Sequence, residues 1–206
     1  RNNKFERIDN SSQHKNQFGG ARFIYNNKIH IYGGYGVWSF KSFITFFDEN
    51  ISQWDLLYND SEYTPEGRWK AISNIIDDKL YVLGGRSSSA GLINQDQSFS
   101  DVFYFDFISK EFINLGNINP KINPKYTLFS LPKIDNNILI VNPAHITKID
   151  FKKLTFTNYS KGKAFSVVDN KYPSFIDDKN LYYISELNGE KLLNSIDIAS
   201  IDNEFN

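Results

Sequence analysis

No cysteine and no methionine occur in the 206-residue chain. Without cysteine there is no disulfide, no thiolate metal site and no cysteine nucleophile. The same absence removes an oxidation liability, so the expected compartment leans outside the cytoplasm: periplasm, cell surface or medium. A chain that opens on Arg1 and holds no methionine reads as processed, or as a piece of a longer protein. Charge of either sign is also missing in excess. Lys plus Arg total 23 against 24 Asp plus Glu, a net charge of -1. That balance leaves no electrostatic footprint for nucleic acid. No apolar run approaches the roughly 18–20 residues that a membrane-spanning helix needs, and no membrane span is expected within the chain.

What is present is apolar and aromatic. Hydrophobic residues make up 40% of the chain and aromatics 16%, which excludes intrinsic disorder. The apolar residues come in short runs of period two, such as Lys28-Ile29-His30-Ile31-Tyr32, Lys79-Leu80-Tyr81-Val82-Leu83, Val102-Phe103-Tyr104-Phe105 and Asn137-Ile138-Leu139-Ile140-Val141. Such runs, rich in Ile, Val, Phe and Tyr and broken by Asn, Asp, Gly and Pro, predict an all-β protein. The stretch from Phe175 to Leu193 has mild helical character, broken by Asn188-Gly189.

The runs repeat. Asn26-Asn27, Asp77-Asp78, Asp135-Asn136 and Asp177-Asp178 each precede an apolar strand. Asn and Asp tolerate the left-handed backbone of two-residue hairpin turns, so each unit is expected to open with a hairpin. The spacing is 51 residues from Ile31 to Val82, 58 from Val82 to Ile140 and 42 from Ile140 to Tyr182. These are lengths of a four-stranded propeller blade. Further along each unit an Asp-led turn is followed by an aromatic at one fixed gap: Asp48 and Trp54, Asp106 and Phe112, Asp150 and Phe156. In the fourth unit Ile196-Asp197 precedes Phe205 at a longer gap.

Gly33-Gly34 and Gly84-Gly85 close the second strand of the first two units. Hairpin turn, apolar strand, Gly-Gly, variable loop, strand ending in Asp, turn and Trp or Phe is an order that resembles the kelch repeat of β-propellers. Arg68 fits the Arg that often opens such a repeat, with Gln17 near that place in the first unit. Asn142-Pro143 and Ile184-Ser185 stand where the third and fourth units should carry Gly-Gly. The resemblance implies a single kelch-type β-propeller domain over residues 1–206. Its four recognisable blades are expected near 17–58, 67–116, 125–160 and 164–206, with a strand of a preceding or closing blade within 1–10. Kelch propellers usually close with more blades. The chain is therefore expected either to be a slice of a longer propeller or to close its ring with the N-terminal strand. The aromatics Trp54, Phe112 and Phe156 are expected to pack between blades.

Several chemistries are then excluded. Gly33-Gly34-Tyr35-Gly36 leads into no helix and no Lys-Ser/Thr pair, so it reads as a structural turn rather than a phosphate loop. The three histidines, His14, His30 and His145, share no ligand spacing, and no metal or cofactor is expected. The copper-oxidase chemistry known among kelch-type propellers needs a cysteine that this chain lacks, and no sialidase box is found. Most carboxylates fall in the turns. No catalytic residue is assigned.

The loops carry the functional expectation. Tyr35-Gly36-Val37-Trp38-Ser39-Phe40-Lys41 follows the first Gly-Gly, and the long polar stretch from Arg86 to Gln97 follows the second. Aromatics beside Arg, Asn and Gln suit a protein, peptide or glycan ligand. The candidate binding residues are Tyr35, Trp38, Arg86, Arg68, Arg22 and His145, with Trp69 and Tyr126 as further rim or axis candidates. The reading favoured is a non-catalytic interaction module, with the extracytoplasmic sensor part of a larger protein as one expected setting. The alternative, drawn from the same resemblance, is a sugar-acting enzyme similar to sialic-acid epimerases, with Arg22, Arg68, Arg86 and His145 around a channel.

Overall fold

A computed structural model of the chain describes residues 6–11, 16–88, 96–118, 127–129, 137–141, 145–160, 175–176 and 179–197. Among them every regular element is a β-strand, and no helix is long and apolar enough to cross a membrane. The chain divides into two compact units, Arg1–Ile122 and Asn123–Asn206.

The first unit contains two blades. In the first, β1 (Ala21–Tyr25), β2 (Lys28–Tyr32), β5 (Ile44–Asp48) and β6 (Gln53–Leu57) form an antiparallel sheet in that order, with a small hairpin of β3 (Tyr35–Gly36) and β4 (Ser39–Phe40) inserted after β2. The second repeats the plan. Its β7 (Ile72–Ile76), β8 (Lys79–Leu83), β11 (Asp101–Asp106) and β12 (Glu111–Asn117) form the sheet, and β9 (Arg86–Ser88) pairs with β10 (Asp96–Ser98) in the inserted hairpin. The opening turns take the expected shape. Asn26 and Asn27 have φ of 46° and 58°, and Asp77 and Asp78 have 47° and 57°, the left-handed pair that a two-residue hairpin requires. At the other turn the Asp48 carboxylate accepts the amide of Asn50, and Asp106 accepts those of Ile108 and Ser109. Burial pushes the Asp106 carboxyl up, but these amides and the Lys79 ammonium outweigh it and hold the group below its ordinary range.

The two blades share a core. β1 lies beside β7. Tyr32 and Ile44 of the first blade pack with Leu80, Val82, Phe103, Phe105 and Phe112 of the second. The Tyr32 ring meets Phe103 at 5.7 Å and Phe112 at 6.0 Å, which places Phe112 between blades. Trp54 packs on Phe47 of its own blade, at 5.5 Å, and Phe156 is half-buried. Burial pushes the Tyr32 phenol far above its usual range, partly offset by the Arg68 charge. Two further bonds clasp each outer strand to the segment that leads into its blade. Ser11 Oγ accepts the Trp54 amide at 2.8 Å, and Ser61 Oγ accepts that of Phe112 at 2.5 Å. The Asn10 amide donates to Ser52 at 2.7 Å, and the Asp60 amide to Lys110 at 3.0 Å. The segment 6–11 that supplies the first clasp lies outside any strand.

In the second unit β13 (Thr127–Phe129), β14 (Asn137–Val141), β15 (His145–Asp150) and β16 (Thr155–Ser160) form a four-stranded antiparallel sheet. The Asp-led turn recurs, with Asp150 accepting the amides of Lys152 and Lys153. A three-stranded sheet follows: β17 (Phe175–Ile176), β18 (Asn180–Leu187) and β19 (Glu190–Asp197). Ile184-Ser185, where glycines would turn the chain, lie inside β18. With no residue suited to positive φ there, the strand runs on to Asn188-Gly189, which turn at φ of 53° and 83°. This hairpin replaces the mild helical character of the same stretch. The turn pairs Asp135-Asn136 and Asp177-Asp178, and Asn142-Pro143, lie outside the described residues.

Candidate functional site

The glycine pairs organise the loop end of the first unit. Gly33 and Gly34 have φ of 68° and 97°, and Gly84 and Gly85 have 62° and 96°. The Gly34 amide donates to the Arg68 carbonyl at 2.7 Å, so the first blade's corner is bonded to the start of the second. A Cβ on Gly33 would lie 2.6 Å from that same carbonyl oxygen, a distance only glycine avoids.

Arg68 is the central strut. Its side chain is 1% exposed and makes a two-pronged pair with Asp101, Nη1 to Oδ1 at 2.6 Å and Nη2 to Oδ2 at 2.8 Å. Nη1 also donates to the Gly84 carbonyl at 2.9 Å and Nε to that of Glu66 at 3.0 Å. The guanidinium lies over the rings of Phe99 at 4.2 Å and Phe103 at 4.9 Å. Planar, permanently charged and fork-shaped, Arg meets all of these partners at once, which Lys cannot do. Beside it a polar cleft of about 390 Å³ is lined by Tyr63, Glu66, Ser98, Ser100, Asp101 and Asn117. Burial raises the Tyr63 phenol, and the Asp101 charge adds to the shift.

The β3–β4 hairpin makes a second, different surface. Its two turn residues are Val37 and Trp38, with φ of 48° and 62°. This is the turn geometry that Asn-Gly adopts freely, whereas a β-branched residue there carries strain of about 1–3 kcal/mol. The hairpin is held from below. Phe18 and Tyr35 exchange two backbone hydrogen bonds at 2.9 Å, and a Cβ on Gly36 would lie 2.2 Å from the Asn16 carbonyl oxygen. Asn16, Phe18, Tyr35, Gly36, Val37 and Trp38 line an open groove of about 510 Å³. Trp38 is 86% exposed and Phe18 65%. A chain of rings supports them: Tyr35 to Phe40 at 4.8 Å, Phe40 to Trp69 at 6.3 Å and Trp69 to Phe18 at 6.2 Å. Two ammonium groups flank it. Lys41 Nζ donates to Ser39 Oγ at 2.6 Å, and Lys70 Nζ sits 4.5 Å from the Trp69 ring centroid.

Of the residues expected at a site, Tyr35 and Trp38 come together in this groove. Arg68 lies in the strut just described. Arg86 is half-buried and exchanges backbone bonds with Trp69 at 2.9 Å each way. Arg22 is exposed on β1, opposite Ile31, and lines neither cavity. His145 opens β15 in the second unit, with its side chain outside the described residues. Tyr126 and the tip of the β9–β10 hairpin, 89–95, are outside them too. Among the described residues no group of three or more His, Asp or Glu side chains is placed to hold a metal. Phe18 and Asp101 escaped the sequence reading. The signal for Phe18 was Gln17-Phe18 set against Arg68-Trp69, 51 residues apart like the strands they precede, and none marked Asp101.

The family model of the Kelch motif matches residues 73–118, the span from β7 to the residue after β12. Residues 73–118 thus carry a kelch motif, the other units being degenerate beside it, and the all-β antiparallel sheets are consistent with a kelch-type β-propeller. A kelch motif marks, in general terms, a protein-interaction module. No curated protein matches the chain.

Proposed function

We propose that the chain is a non-catalytic binding module, and that the β3–β4 hairpin end of its first unit is the surface it presents to a protein, peptide or glycan. The carrying observation is Trp38, a large ring 86% exposed on a turn whose two residues both hold positive φ. A strained turn that buries nothing serves no packing purpose, and strain of that kind clusters at contact sites. Tyr35 and Phe18 extend the ring surface into the groove beneath it. The competing idea of a sugar-acting enzyme draws less support, because Arg68, which it needs at a substrate, is committed to Asp101 and two carbonyls.

The test is a parallel screen of the full chain and its Trp38→Ala variant on peptide and glycan arrays. Ligands of the wild-type chain should lose about tenfold or more in affinity with the variant, while the thermal midpoint stays put. Binding that is indifferent to Trp38 would place the surface elsewhere.

A further inference from the structure

We infer that the occupant of this groove is an anionic sugar polymer, its rings stacked on the Trp38 surface and its carboxylates or sulfates held by Lys41 and Lys70; the inference rests on the surface proposed above. The first argument is shape. A peptide anchor gains its energy by entering a packed pocket that excludes water. Trp38 offers no such pocket: it is 86% exposed, and the groove beside it is open. A flat ring left open to solvent suits a ligand that is itself flat, apolar on its face and polar around its rim, as a pyranose is. Asn16, in the lining, carries the amide donors and acceptor that such a rim needs.

The second argument is charge. Among the described residues, none that lines the groove is charged. Lys41 is bonded to Ser39, the neighbour of Trp38, and Lys70 lies against Trp69, whose ring touches Phe18 of the lining. Among the described residues neither ammonium is paired with a carboxylate. Glu66 and Asp101 line the other cleft, and Asp101 is neutralised by Arg68. Two cations beside a neutral aromatic floor match a ligand whose charges project sideways from stacked rings. A single-stranded nucleic acid would also stack, but its closely spaced phosphates call for a positively charged groove, and the chain's net charge is -1.

The experiment measures affinity of the full chain for five probes: polygalacturonate, heparin, neutral dextran, polyglutamate and poly(U). Wild type is compared with Trp38→Ala, Trp38→Phe and the pair Lys41→Gln/Lys70→Gln. Polygalacturonate or heparin should bind, more weakly as salt rises. Trp38→Ala should lower that affinity about tenfold, Trp38→Phe less, and the lysine pair about three- to tenfold. Dextran binding as tightly as the charged polymers would overturn the charge assignment and leave the glycan surface standing. Trp38-dependent binding that favours polyglutamate or poly(U) would overturn the sugar and keep the surface. If no probe shows Trp38-dependent binding, the inference is overturned; wild-type ligands on the arrays that are indifferent to Trp38 would remove the surface reading as well.

Discussion

Gln17 in the first blade and Arg68 in the second occupy the same slot. Each donates to the carbonyl of the first glycine in its pair, Gln17 Nε2 to Gly33 at 2.8 Å and Arg68 Nη1 to Gly84 at 2.9 Å. The glycine corners that they hold agree within a few degrees in φ. Around the slot the chemistry diverges. Gln17 accepts the Thr45 hydroxyl, so the first blade is satisfied by neutral groups, while Arg68 needs the Asp101 carboxylate. The corner is therefore a backbone requirement, and the side chain that braces it is interchangeable if its own polar atoms are satisfied. The two solutions differ in how they fail. A neutral amide that loses a partner leaves a modest debt, whereas a buried cation that loses its counter-charge leaves a large one.

The largest effect expected follows from that contrast. Asp101→Ala strands the buried guanidinium and should cost about 3–5 kcal/mol in denaturant unfolding. Thr45→Ala, at the matching junction of the first blade, should cost about 1–2 kcal/mol. Equal costs would mean that the charge in the second blade makes no difference. Next come the corners. A Cβ on Gly34 would meet the Gln17 backbone at 2.6 Å, but one on Gly85 meets its nearest neighbour, the Trp69 carbonyl oxygen, at 3.0 Å. Both carry positive φ, so Gly34→Ala should destabilise by about 3 kcal/mol and Gly85→Ala by about 2. The reverse order of thermal midpoints would break the equivalence of the corners.

Smaller still are the clasps. Ser11→Ala and Ser61→Ala each remove one acceptor from a strand amide, and each should cost about 1 kcal/mol. A silent Ser11→Ala beside a costly Ser61→Ala would show that only the second blade uses its leading segment. The smallest effect depends on pH. His30 faces Phe46 across β2 and β5 at 6.0 Å and stacks on Phe23 at 5.2 Å, where the second blade has Tyr81 facing Tyr104. Burial holds the His30 imidazole below its ordinary 6.5. As pH falls, the unfolded chain takes up that proton first. The contribution of His30 is thus complete above about pH 6.5 and declines as pH falls through its folded value. His30→Tyr, the second blade's own residue, should remove this slope from stability measured between about pH 5 and 7.

The hairpins, strands and corners were legible because their causes are local. A left-handed Asn or Asp pair, alternating apolar residues and a Gly-Gly each announce their geometry within a few positions. The braces were not, because their partners are distant: Arg68 and Asp101 are 33 residues apart, and Ser61 and Phe112 are 51. Trp38 was legible as an aromatic in a loop, but its exposure was not. The turn that lifts it uses Val-Trp where the usual signal is Asn-Gly, so nothing in the residue types marks a two-residue hairpin. The fourth repeat misled for a related reason. With Ile184-Ser185 in place of glycines, the turn moved to Asn188-Gly189 and lengthened the strand.

The serine clasps also redraw the edges of the repeat. Counted by strands, the second blade begins at Ile72; counted by bonds, it begins at Asp60, whose amide and neighbouring Ser61 hold the turn and outer strand at Lys110 and Phe112. Anyone excising or transplanting this blade should therefore cut before Asp60 rather than before Ile72. A graft begun at the first strand would carry an outer strand with its fastening left behind in the donor.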